Sequence, residues 1–155
     1  MKDVIQKLAQ DIFDKGYFFS LATLDDGGLW VSDVFYVADG EWNIYWLSAH
    51  DTRHSKAIEQ NSEVAGTITI TTTPSEPSEA LQIAGRAERV NEEQKEKPEK
   101  LFLQKRGKEK KTEADRYRGQ SRYRLTPTKI RLAHQETFKL EKQDVEINSP
   151  SGPRS

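Results

Sequence analysis

Asp25-Asp26-Gly27-Gly28 interrupts a stretch that is otherwise apolar and aromatic, and it restricts the fold more than any other feature of the chain. Adjacent glycines reach positive φ without steric cost, so the tetrapeptide predicts a tight hairpin. Tyr17 to Leu24 before it and Leu29 to Ala38 after it carry the aromatic and β-branched residues that suit a pleated, half-buried surface. Asp39-Gly40 marks a second turn, and Asn43 to Ser48 reads as a third, short strand. Three strands joined this closely form an antiparallel meander.

The remaining chain supplies helices at both ends of this meander and more strands beyond it. Val4, Ile5, Leu8, Ala9, Ile12 and Phe13 recur at helical spacing, which predicts an amphipathic helix over 3–15. Gly16 is expected in the left-handed position after its C-cap. Thr52 to Asn61 reads as a short helix capped by Asp51 or Thr52. Glu63 to Thr71 returns to a β-branched strand, Thr72 to Ser78 reads as an exposed loop, and Ala80 to Val90 reads as a fifth strand. Asn91 to Arg106 is expected to be helical with a break near Pro98. Gly107 to Lys111 reads as a charged loop. Ser121 to Leu125 and Lys129 to Ala133 form a final strand pair, or one strand bent at Pro127. The Pro/Ser/Gly composition from 149 to 155 predicts a disordered tail, leaving a single domain over 1–148. Five or six strands with one helix inserted after the third point to a mainly β fold, a small closed or split barrel with flanking helices. Closure also removes the exposed edges that a chain so rich in strands would otherwise present.

Several function classes drop out. The chain has no cysteine, which excludes disulfides, zinc ribbons, thiol nucleophiles and thiolate-held clusters. No apolar run approaches the roughly 20 residues that span a bilayer, and Met1-Lys2-Asp3 does not open a leader peptide, so a cytoplasmic location is expected. Walker and nucleophile-elbow patterns are absent. His50 and His54 share a helical spacing but lack a third ligand, so no metal site is expected. Overall charge is −1, yet residues 95–131 carry about +9 by residue count. Tyr117 and Tyr123 interleave with that basic run, as in nucleic-acid binders. Glu109, Glu113 and Asp115 interrupt it, however, and a solvated face explains it as well.

The chemistry-bearing segment is Ile44 to Ile58. A strand ends at Ser48, a loop follows, and a helix opens at Thr52, Arg53 and His54. Unpaired N–H groups and partial positive charge at a helix start attract phosphate. Ser48 and Thr52 add hydroxyls, Arg53 a guanidinium fork, and Lys56 and His54 further charge within a turn. The plainer reading is that Thr52 only caps the helix while the basic residues face water.

The order of these segments resembles the pyridoxamine 5′-phosphate oxidase-like flavin-binding split-barrel superfamily. The matching pieces are Leu21 to Gly28, Trp30 to Val37, Tyr45 to Ser48 with Thr52-Arg53-His54, Val64 to Ile68, and Leu81 to Val90. The resemblance implies a six-stranded antiparallel split barrel that forms a homodimer with FMN at the interface. By that resemblance Ser48, Thr52, Arg53 and His54 hold the phosphate, with Lys56 joining them by charge and position. Ser32, Asp33 and Val34 border the flavin ring, with Trp46 and Leu47 beside it and Gln82 approaching from the fifth strand. It also implies an FMN-dependent oxidoreductase acting on a small molecule with a reduced nicotinamide, NAD(P)H, as electron donor. A non-enzymatic flavin carrier, or a haem or deazaflavin protein of the same fold, stays open. Trp30 to Ala38 contains no basic residue where the true oxidase supplies several, and no C-terminal substrate segment is matched. Pyridoxamine phosphate is therefore not the expected substrate, and no catalytic residue is identified.

Overall fold

A computed structural model describes residues 1–106 and 120–147. Six strands form a closed ring: β1 (Phe18–Asp25), β2 (Gly28–Ala38), β3 (Ile44–Ser48), β4 (Glu63–Thr69), β5 (Glu79–Arg89) and β6 (Ser121–His134). The ladders run β3-β2-β1-β4-β5-β6, and β3 also pairs antiparallel with β6, from Ile44 opposite Leu125 to Ser48 opposite Ser121. That last ladder closes the barrel. A seventh strand, β7 (Gln143–Asp144), adds to the edge of β6, so the sheet has seven strands where six were expected.

The hairpin between β1 and β2 forms at the predicted turn, with Gly28 at φ 104 and Asp25 accepting the Gly27 N–H. Of the two alternatives expected here, a strand pair or one strand bent at Pro127, the structure has the single strand, β6. It passes Pro127 at a bulge, where Gly85 pairs with Pro127 and Ala84 with Lys129. A bulge is where a strand tolerates a residue that cannot donate. Gly85 is also a point of close approach, since a Cβ there would lie 2.4 Å from the Thr126 carbonyl oxygen.

Alternation along the strands points one face inward, and that face builds the core. Phe19, Leu21, Ile44, Ile68, Leu81, Leu125 and Ile130 are all fully buried there. Trp46 stacks on Tyr123, ring centroids 5.9 Å apart and 13° from parallel. Helix α1 (Lys2–Lys15) turns Ile5, Ala9, Ile12 and Phe13 onto the core. Gly16 follows it with φ −72 and ψ 153, so the expected left-handed cap is not formed. Glycine is needed for space instead, because a Cβ would sit 2.4 Å from Tyr36 Oη and 2.7 Å from Ile68 Cγ2.

Helix α2 (Arg53–Gln60) buries Ser55, Ala57 and Ile58, and packs beside β1 and β2. After β5 a 3₁₀ turn (Glu92–Gln94) leads into α3 (Glu96–Arg106). Pro98 sits in the first turn of α3, where its missing N–H costs nothing. Phe102 of α3 covers a second apolar cluster on the outside of the ring, with Val37, Tyr45 and Val90 buried and Phe35 and Leu47 packed against it. The turn beneath it is organised by Asp39, whose carboxylate accepts from the Glu41 and Asn43 N–H groups, the Asn43 amide, the Tyr45 hydroxyl and the Lys97 ammonium. A four-residue helix, α4 (Gln135–Phe138), follows β6.

Among the described residues the basic second half is largely paired. Arg122 bonds Glu99, Arg124 bonds Glu88, and Arg131 bonds Asp144. The expected loop at 107–111, the tyrosine at 117 and the tail from 149 lie outside the described residues.

Candidate functional site

The loop from Ser48 to Thr52 brings the end of β3 to the start of α2, as the sequence pattern requires. Thr52 caps the helix: its Oγ1 accepts the Ser55 N–H at 3.2 Å, and it lies 2.7 Å from Ser55 Oγ and 3.1 Å from the Ala49 carbonyl oxygen. Ser48 Oγ is 2.8 Å from His54 Nε2. Burial holds the His54 pKa below its ordinary value, so the imidazole is neutral and contributes a polar contact to Ser48 without adding charge. Thr52 is thus engaged by Ser55 and the backbone, and Ser48 and His54 by each other.

Arg53 and Lys56 behave differently. They line a groove of about 580 Å³ with Asp25, Asp26, Gly27, Asp51 and Gln60. Arg53 Nε and Nη2 donate to the two oxygens of Asp25 at 3.1 and 3.2 Å. The guanidinium also lies over the Trp30 ring, 4.4 Å from its centroid, a cation–π contact that leaves Trp30 about half exposed. Within the first turn of α2 the N–H groups of Arg53 and His54 have no intrahelical partner. An anion entering the groove meets an ammonium and the edge of the guanidinium not spent on Asp25, against three carboxylates.

The other expected residues are distributed by strand parity. Val34 and Trp46 point into the core, and Trp46 is fully buried, so its side chain packs inside the barrel and does not flank an external ring. Asp33 is on the outer face, where its Oδ1 accepts the Ser20 hydroxyl at 2.6 Å, and Ser32 is half-buried beside it. Leu47 joins the outer apolar cluster under α3. Gln82 is exposed on β5 and lines a separate cavity of about 280 Å³ with Thr67, His134 and Lys139. One chain therefore gathers Arg53, Lys56 and the start of α2, but not Gln82, into a single groove. Asp25, which pairs with Arg53, and Trp30, on which its guanidinium rests, are the partners that sequence reasoning did not assign. Asp25 reads as a turn residue, and no local pattern announces a partner 28 positions away.

Outside the groove, the outer faces of β1 and β2 expose Phe18, Leu24, Leu29 and Val31. Ala22 pairs with both Val31 and Ala65, and Ala65 pairs with Ala84, so small residues continue that face across β4 and β5. Among the described residues no helix is long and apolar enough to cross a membrane, and no cluster of His, Asp and Glu could hold a metal.

No family model matches the chain. UPF0306 protein PM1958 of Pasteurella multocida is 29% identical over 99 residues, which is 63% of this chain and 66% of that protein, just under two thirds of its length. Many solved structures share the architecture, the following three among them. A provisional pyridoxamine 5′-phosphate oxidase from Listeria innocua matches with TM-score 0.65 and 16% identity, over 82% of this chain and 96% of that one. HutZ, the haem storage protein of Vibrio cholerae, gives 0.63 and 21% over 79% and 89%. An FAD-binding protein from Mesorhizobium loti gives 0.63 and 12% over 79% and 87%. With the closed six-strand ring and the helix inserted after β3, these likenesses define the fold as the pyridoxamine 5′-phosphate oxidase-like split barrel. Neighbours of this fold include both flavin-binding and haem-binding proteins.

Proposed function

We propose that the protein binds FMN and works as a flavin-dependent oxidoreductase on a small molecule, with the cofactor seated between two copies of the chain. The observation that carries this reading is the groove at the start of α2. There Arg53, braced on Trp30, and Lys56 face one space beside the first turn of α2. Arg53 and Lys56 offer a phosphate ester its donors, against Asp25, Asp26 and Asp51, which outnumber the two cations and leave the lining with a formal charge of −1. Arg53, Lys56 and the N–H groups of Arg53 and His54 would hold the phosphate. Ser48 and Thr52 would fix the loop that presents them, a supporting role that their internal hydrogen bonds favour. When bound, FMN supplies the hydride or electron transfer, so the protein's task is binding and orientation. The apolar outer face of β1 and β2, continued by Ala65 and Ala84, suits a second copy.

The test is the visible spectrum of the protein after incubation with FMN and desalting. Flavin bands retained by wild type and lost in Arg53→Ala/Lys56→Ala, with bleaching on addition of NADH or NADPH, are expected. Bands that resist both nicotinamides would support a flavin carrier without turnover. A colourless wild type, or a Soret band acquired in preference from haem, would overturn the flavin reading. Val31→Asp on the outer face should shift the protein from dimer to monomer in light scattering and lower flavin retention with it.

A further inference from the structure

One of the two forks that Arg53 could offer a phosphate, its Nε–Nη2 edge, is already filled. A guanidinium grips an oxyanion best through two parallel N–H groups on one edge, and the Nε–Nη2 edge of Arg53 is spent on Asp25. Asp25 does not depend on that pair. It is fixed by the hairpin backbone, and its Oδ1 keeps the Gly27 N–H at 2.8 Å whatever Arg53 does. Arg53, in contrast, reaches across on a flexible stem from the first residue of α2, and Trp30 offers its guanidinium a platform that an arriving ligand need not disturb. Three carboxylates line the groove against Arg53 and Lys56. A phosphate that takes the fork leaves Asp25 unpaired beside it.

We infer that Asp25 is an internal competitor for the anion site, a carboxylate that occupies Arg53 in the free protein and sets the affinity for phosphate esters. The inference rests on the flavin reading above and adds a residue that controls how tightly the phosphate is held. Asp25 discriminates: a ligand with a strong, dianionic phosphate can displace it, whereas weaker oxyanions such as carboxylates cannot. The hydrogen bond from Arg53 holds the Asp25 pKa below the usual carboxylate range, so the competition persists across physiological pH.

Asn at position 25 keeps an oxygen for the Gly27 N–H and therefore the turn, while removing the charge. Titration of wild type, Asp25→Asn and Asp25→Asn/Arg53→Ala with FMN, and in parallel with riboflavin, separates the possibilities. The inference expects Asp25→Asn to bind FMN about tenfold more tightly than wild type, a gain of ~1.4 kcal/mol. Riboflavin affinity should stay unchanged, and the gain should vanish in the double variant. Asp25→Ser, which also retains a turn acceptor, should reproduce the gain. If wild type binds FMN and both Asp25 variants bind it equally or less tightly, Asp25 is a brace for Arg53 and the inference fails while the flavin reading survives. If neither wild type nor the variants bind FMN or riboflavin, the flavin reading itself fails, and the inference with it.

Discussion

Asp39 should be among the most costly polar residues to remove, and the reason lies in the turn it organises rather than in its ion pair. Its side chain is 3% exposed, while Lys97, its charged partner, is 52% exposed. Half-exposed ion pairs contribute about 0–1 kcal/mol. The other donors are the Glu41 and Asn43 N–H groups, the Asn43 amide and the buried Tyr45 hydroxyl. In Asp39→Ala the Tyr45 hydroxyl loses a charged acceptor inside the outer cluster, and leaving such a group unsatisfied costs about 1–3 kcal/mol. The turn, where Trp42 already holds a positive φ of 73, loses its backbone acceptor as well. A total near 3 kcal/mol follows, or about 6–12 °C in Tm for a chain of this size. Thermal unfolding followed by circular dichroism measures it directly. Asp39→Asn, which keeps an acceptor for the two N–H groups, should fall between wild type and Asp39→Ala, and Lys97→Met should lose less than about 1 kcal/mol. If Lys97→Met cost as much as Asp39→Ala, the turn would not be the source of the stability, and the reasoning would be refuted. Burial raises the Asp39 pKa, but the donors outweigh it and the net shift is downward. Its contribution is therefore present above the ordinary carboxylate range and lost as pH falls through the lowered value.

Lys105 gives a second pH signature. Burial lowers its ammonium to about 8, against the opposing pull of Asp14, while its Nζ lies 3.9 Å from the Tyr36 ring centroid. Between that value and the ordinary lysine pKa the unfolded chain binds the extra proton, so stability should rise with pH from about 8. Above about 10 the trend should reverse, because burial holds the Tyr36 phenol protonated in the native state. Urea midpoints at about pH 7 and pH 9.5 should diverge for wild type and stay closer together for Lys105→Met; parallel behaviour would sink the assignment. Gly66→Ala tests the spacing of β1 and β4. Its Cβ would meet the Ser20 carbonyl oxygen at 2.2 Å and the Phe19 ring at 2.5 Å, so a loss of at least about 2 kcal/mol in chemical denaturation is expected, and a neutral effect would contradict the close approach.

The strands and turns were legible because their signals are local. Asp25 to Gly28 can hardly be anything but a hairpin, and the helical spacing of Ile5, Ala9, Ile12 and Phe13 declares α1. What stayed illegible depends on partners distant in sequence. Gly16 reads as a helix cap, yet its reason is the Tyr36 hydroxyl and Ile68 pressed against it. Two residues such as Gln143 and Asp144 cannot display a period, so β7 had no signal. Pro127 left a strand pair and one bent strand both open, and only the ladder from β5 decides for the single strand. The start of α2 was picked out as a candidate anion site from its residue types. The division of labour within it was not, because Thr52 and Ser48 turn to internal partners and Asp25 reaches Arg53 only once the hairpin folds beside the helix.

The ladder between β3 and β6 has a consequence for how the chain must be made. β3 ends at Ser48, while its second neighbour begins only at Ser121. During synthesis, every other strand of the ring leaves the ribosome before the one that closes it. Until then β3 and β5 each wait with a bare edge, and the pairings that end this wait are the long-range kind that form slowly and invite intermolecular pairing. A stop codon or cleavage before Ser121 should therefore yield an aggregating fragment rather than a smaller working barrel.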